Sequence, residues 1–142
     1  MSREISPVSN KYKEEVTAMK VFQRNDIEVE RLPGRTLQRA IGKNSESPSG
    51  KMTISFCHYS AESGPMEPHH HAEETVYIID AKDGWVRQGP SKDDLPQKID
   101  LKAGTVLHFE DLEWHVFEFA EGGFIDAACI YGQVDNIRPE DN

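Results

Sequence analysis

From Lys20 onward the apolar residues fall in short runs, each cut off by turn-forming residues. Met52-Thr53-Ile54-Ser55-Phe56-Cys57-His58-Tyr59 alternates residue by residue and predicts a half-buried strand, with Met52, Ile54, Phe56 and His58 on one face. Similar strand patterns cover Lys20–Phe22, Ile27–Val29, Thr36–Ile41, Val76–Ile79, Trp85–Arg87, Lys98–Leu101 and Thr105–Phe109. The last two predicted strands are His115–Phe119 and Phe124–Tyr131, with Glu121-Gly122-Gly123 as the turn between them. Leu32-Pro33-Gly34 reads as a turn, and residues 42–50 as a loop rich in Ser, Asn, Gly and Pro. Roughly eight to ten short strands and no convincing long helix predict an all-β sandwich or barrel.

The flanks differ in pattern. Residues 1–18 are polar and mixed in charge, with Lys11 to Met19 at most a short helical arm. Residues 135–142 form a charged, unpatterned tail, which leaves residues 19–134 as the barrel domain. A chain of 142 residues is long enough for one real core and reads as one domain. Its 37% hydrophobic content is above what disorder requires.

Charge narrows the partners. Against 25 acidic residues stand 16 basic ones, a net charge of −9, so a nucleic acid or an anionic membrane meets no basic footprint. No apolar stretch approaches the ~18–20 residues of a spanning helix, and the N-terminus shows no apolar signal core. The expectation is a cytoplasmic protein in which Cys57 and Cys129 are reduced thiols, small buried residues without assigned chemistry.

Chemistry concentrates in Pro68-His69-His70-His71-Ala72-Glu73-Glu74, which runs straight into the strand Thr75–Ile79. A histidine triplet in a polar loop is otherwise solvated surface. Here it abuts a strand and carries carboxylates, and a further histidine, His115, opens a distant strand. Neutral imidazole with carboxylate is the donor set of a divalent transition metal, and Fe, Mn, Ni and Zn all accept it.

The sequence resembles the cupin superfamily, the jelly-roll or double-stranded β-helix barrels, over roughly residues 50–131 and more loosely 20–50. The first cupin motif is similar to the stretch from Gly64 to Asp80, and the second to Gly104-Thr105-Val106-Leu107-His108-Phe109-Glu110-Asp111-Leu112-Glu113-Trp114-His115. The resemblance implies one metal ion held by His69, His71, Glu74 and His115. A gapless count back from Glu74 brings His70 forward instead, while strand alternation favours His69 with His71. Departures are Ala81 for a glycine, Glu110 for the proline, Leu112 for a second glycine and Phe119 for the final asparagine. None removes a ligand.

The other candidates carry less. His58 and His108 each share a face with apolar residues, and either could line the pocket or be a satisfied core histidine. Glu73 is expected to point outward or to hydrogen-bond a ligand histidine. Tyr77, facing away from Glu74, is expected to pack, and Trp85 and Trp114 to supply bulk.

The expected function is a metal-dependent enzyme on a small polar molecule such as a hydroxy-acid, sugar derivative or enediol, with dioxygenase or isomerase/lyase chemistry. The competing expectation is a barrel that binds or senses a small molecule without turnover. Edge strands call for cover, so the expected assembly is a homodimer to which residues 19–41 contribute.

Overall fold

The computed structural model describes residues 19–138, so the arm at 1–18 and the last four residues of the tail lie outside the described residues. Eight strands form the barrel: β1 (Glu30–Leu32), β2 (Arg35–Gly42), β3 (Ser47–Pro48), β4 (Thr53–Ser60), β5 (Glu74–Gly89), β6 (Gln97–Asp100), β7 (Val106–Phe109) and β8 (Trp114–Tyr131). They join in the order β1-β2-β4-β8-β5-β6, with β3 added to β2 and β7 to β5. All pairings are antiparallel except β2 with β3. Among the described residues there is no α-helix, and no helix is long and apolar enough to cross a membrane.

Two of the predicted strands are absent. Lys20–Phe22 and Ile27–Val29 flank a single 3-10 turn at Arg24–Asp26. Asn25 and Asp26 favour a turn. Arg24 then ties this segment down, with its guanidinium 2.7 and 2.8 Å from the two carboxylate oxygens of Asp126 and 4.8 Å above the Phe56 ring.

That clamp explains a second correction, the phase of β4. Its alternation is as expected, but Thr53, Ser55, Cys57 and Tyr59 are the buried set, while Ile54, Phe56 and His58 are only partly covered on the opposite face. On the outer face the Arg24 guanidinium covers Phe56. The inward polar groups are satisfied: the Thr53 hydroxyl donates to the Gln133 carbonyl at 2.7 Å, and Ser55 Oγ accepts from Arg138 at 3.2 Å.

The expected turn at Glu121-Gly122-Gly123 is a bulge within one strand. Both halves of β8 pair with the same strand β5, from Gly89↔Trp114 through Gly84↔Phe119 to Glu74↔Tyr131, so the chain does not reverse there. Gly122 sits at φ +78° and Asp83 opposite it at +49°. A side chain on Gly123 would meet the Lys82 carbonyl at 2.5 Å. Glycine permits this close approach, and the bulge bends the ribbon. β7 then pairs with the first half of β5 and β6 with its second half.

The core is Leu37, Val76, Ile78, Val86, Phe117 and Ile125 with their neighbours. It includes Ile137, which is 1% exposed, followed by Arg138 at 8%. Burying an isoleucine stabilises by ~1.5–3 kcal/mol, so the tail expected to begin at residue 135 packs on the barrel through residue 138.

Candidate metal centre

The histidine segment is placed by the backbone. His69 forms an isolated bridge with His115, His69 N donating to His115 O at 3.0 Å and His115 N to His69 O at 2.9 Å. Two residues on, the His71 carbonyl accepts from Leu112 N at 2.9 Å. In extended chain, alternate residues face the same side. The rings of His69 and His71 lie 5.3 Å apart, and those of His115 4.5 and 4.9 Å from them. His70 faces elsewhere, its ring edge-on to Trp114 at 4.3 Å, with Nδ1 buried and without a hydrogen-bond partner among the described residues.

Each clustered imidazole has its Nδ1 against a main-chain carbonyl: His69 with Glu67 at 3.0 Å, His71 with Ala72 at 2.9 Å, His115 with Glu113 at 2.8 Å. A carbonyl only accepts, so Nδ1 carries the proton and Nε2 is left with its lone pair. One donor nitrogen from each ring lies within 4.8 Å of the others. Glu74, the first residue of β5, places Oε1 3.4 Å from His71 Nε2 and 3.8 Å from His115 Nε2. His115 Nε2 is buried without a partner among the described residues, and a buried nitrogen left so is costly.

Electrostatics point the same way. Burial pushes the His71 imidazole below its ordinary range, and the same burial, with His69 and His71 close by, holds His115 well below it. Both rings are therefore neutral, the form that donates to a metal. Burial raises Glu74 to about 8, against the opposing hydrogen bond from Tyr131. Phe109 stacks on His115 with ring centres 4.0 Å apart and planes 18° from parallel, fixing its tilt.

Beside the cluster lies a cavity of about 20 Å³. Arg35 and Arg138, 4% and 8% exposed, line it with Cys57, Cys129 and Tyr131. The two thiols stand 3.3 Å apart. None of these five was singled out from sequence as a site residue. Strand alternation offered a signal for Arg35, two positions from the core residue Leu37, and for Cys57 on the inward face of β4. Arg138 had none.

The other candidates lie outside the cavity. His58 faces outward and bonds Asp126 at 3.0 Å. His108 meets Glu73 at 2.6 Å on the surface, so Glu73 points outward and serves no clustered histidine. Tyr77 is exposed rather than packed.

No protein-family model and no curated protein matches the sequence. Solved structures do. The polyketide cyclase RemF of Streptomyces resistomycificus superposes with a TM-score of 0.62 at 18% identity, over 80% of this chain and 78% of that one. The formate complex of Lactobacillus farciminis oxalate decarboxylase matches with a TM-score of 0.63 at 14% identity, over 82% of this chain and 34% of the decarboxylase. The Fe(II) form of HppE with an alternative substrate matches with a TM-score of 0.57 at 10% identity, over 79% and 59% of the two chains. At such identities the likeness is one of fold.

Proposed function

Because this chain has the cupin fold, we propose that it is a metal-dependent enzyme whose ion is held by His69, His71, His115 and Glu74. The observation that carries this reading is the buried His115 Nε2, without a hydrogen-bond partner among the described residues, beside two further imidazoles with bonded Nδ1 atoms and a buried carboxylate. Three nitrogens and one oxygen suit Fe, Mn, Ni or Zn in the divalent state. Enzymes among the structures of this fold, the cyclase and the decarboxylase, support a catalytic role.

When bound, the ion supplies Lewis-acid polarisation of a chelating oxygen pair. The chain's own residues do the rest. Main-chain carbonyls at Glu67, Ala72 and Glu113 hold the imidazole tautomers, and the Phe109 stack keeps His115 from turning. Tyr131 hydrogen-bonds the Glu74 carboxyl group and limits the proton's hold on it. The substrate head is thus a small oxygen chelator of the hydroxy-acid, hydroxy-ketone or enediol kind.

Reconstitution with Fe(II), Mn(II), Ni(II) or Zn(II), followed by a screen of such chelators, tests the proposal. O₂ uptake with Fe(II) marks an oxygenase, and anaerobic turnover marks an isomerase or lyase. Thermal stabilisation by a ligand without turnover in any form marks a non-catalytic binding barrel and overturns the enzyme reading.

A further inference from the structure

The histidine cavity, at about 20 Å³, has room for little more than one water-sized group. Any organic substrate that reaches the cluster must therefore leave most of its body outside. Next to the cavity lies a groove of about 500 Å³, and Met66 and Phe117 line both spaces. That volume is in the range of small-molecule sites, ~300–1,000 Å³.

Its walls are aromatic and aliphatic: Pro65, Met66, Trp85, Phe117 and Phe119, with one carboxylate, Glu118. Glu118 is already engaged, accepting from Trp85 Nε1 and Arg87 Nε, each at 2.8 Å. No Lys or Arg is among the groove's lining residues. The nearest cations already have partners, Arg87 on Glu118 at 2.8 Å and Lys98 Nζ 4.3 Å from the centre of the Trp85 ring, and the lining itself carries no charge except that of Glu118. Met66 stands at the boundary on a loop pinned to the β1–β2 turn, where Gly34 N donates to Ser63 O at 3.0 Å. Gly34, at φ +83°, lies so near that an added side chain would meet Met66 Cα at 2.9 Å. Methionine is an adaptable wall for such a position.

We propose that this groove binds the uncharged, ring-sized apolar body of the substrate, of which only the oxygen end reaches the histidine cluster past Met66 and Phe117. The inference rests on the metal site proposed above and narrows its substrate class. The small polar molecules expected from sequence give way to an aromatic or alicyclic compound with a chelating oxygen pair at one end.

The test compares two hydroxamates on the full-length, metal-loaded protein: acetohydroxamic acid, which chelates only, and 2-naphthohydroxamic acid, which adds a neutral bicyclic body. Calorimetry should show the naphthyl compound binding at least about tenfold more tightly. A sulfonated naphthohydroxamate should lose most of that advantage. Ala61→Trp, at an exposed residue of the groove wall, should obstruct the groove. It should remove the naphthyl advantage while leaving acetohydroxamate affinity unchanged, and Phe119→Ala should reduce the advantage in the same direction.

Equal affinities for the two compounds overturn the groove proposal and leave the metal reading intact. Another occupant of the groove, such as an apolar segment of a second chain, would give this same result. A naphthyl advantage untouched by Ala61→Trp also overturns it. Failure of both hydroxamates to bind the metal-loaded protein overturns this proposal, since no oxygen chelate then reaches the ion, whereas failure of the protein to load metal overturns the metal reading.

Discussion

His69 and His115, 46 positions apart, exchange both of their backbone hydrogen bonds, at 3.0 and 2.9 Å. Two cross-strand hydrogen bonds set the separation of those Cα atoms before any side chain is considered. The ring-centre distance of 4.5 Å follows from that pairing. Convergence of the two histidine stretches is thus a property of the sheet, and metal binding needs no large rearrangement to bring them together.

Metal binding should release a proton from Glu74. Its carboxyl is raised to about 8 by burial, so the metal-free folded protein holds this proton at neutral pH where the unfolded chain does not. From this group alone, metal-free stability falls as pH rises from the ordinary carboxyl range to about 8. His71 and His115 are lowered, which acts oppositely, costing stability as pH falls through the ordinary histidine range. They are already neutral at pH 7 and release nothing on binding. Calorimetric metal titrations at pH 7 in buffers of different ionisation enthalpy should report release of about one proton per ion. In Glu74→Gln the release should nearly vanish.

Leu112 should be replaceable by glycine at a gain. It lies at φ +61°, where the second cupin motif carries glycine, and its side chain is 63% exposed. The left-handed conformation costs a side-chain-bearing residue ~1–2 kcal/mol. Glycine's greater freedom in the unfolded chain offsets ~0.5–1 kcal/mol of the relief. Leu112→Gly should therefore raise stability by up to ~1.5 kcal/mol in urea unfolding. Leu112→Val, β-branched at positive φ, should lower it.

Phe109→Ala should hurt twice. The ring is 5% exposed and stacks on His115, so its removal opens a core cavity costing ~3–5 kcal/mol and frees the imidazole to tilt. Weakened metal affinity should accompany the lower melting temperature. Phe109→Leu, which retains most of the volume, should recover much of the stability and less of the affinity.

The homodimer expected from sequence now has a narrower candidate surface. Ile27 and Leu37 belong to the barrel's own core, whereas Met19, Val21 and Val29 are 85%, 72% and 52% exposed. A double change, Val21→Asp with Val29→Asp, should convert a dimer to a monomer by light scattering at tens of micromolar, with the melting curve little altered. A monomer mass for the unaltered chain refutes the dimer, and a dimer that survives both changes refutes this surface.

Strand periods were legible in the sequence, and pairing partners were not. The alternation of Met52–Tyr59 identified β4, but its phase depended on a polar-lined cavity inside and on Arg24 covering Phe56 outside, both long-range facts. Gly122-Gly123 has the composition of a hairpin turn, and only the shared partner β5 makes it a bulge. The clustering of His69 and His71 was accessible because alternation beside a strand is local geometry. Arg138 was not accessible, since a single Ile137 in a charged tail forms no period. The groove beside Met66 was hidden for a similar reason: Trp85 and Phe119 come from different strands.

The most direct test is metal stoichiometry by mass spectrometry on the reconstituted protein and on four single alanine variants, each checked for a folded barrel. About one divalent ion per chain is expected for the unaltered protein and for His70→Ala. Substantial loss is expected for His69→Ala, His71→Ala and His115→Ala. Retention of the ion by His71→Ala together with its loss by His70→Ala, or absence of metal from the unaltered protein after reconstitution, would contradict the proposed site.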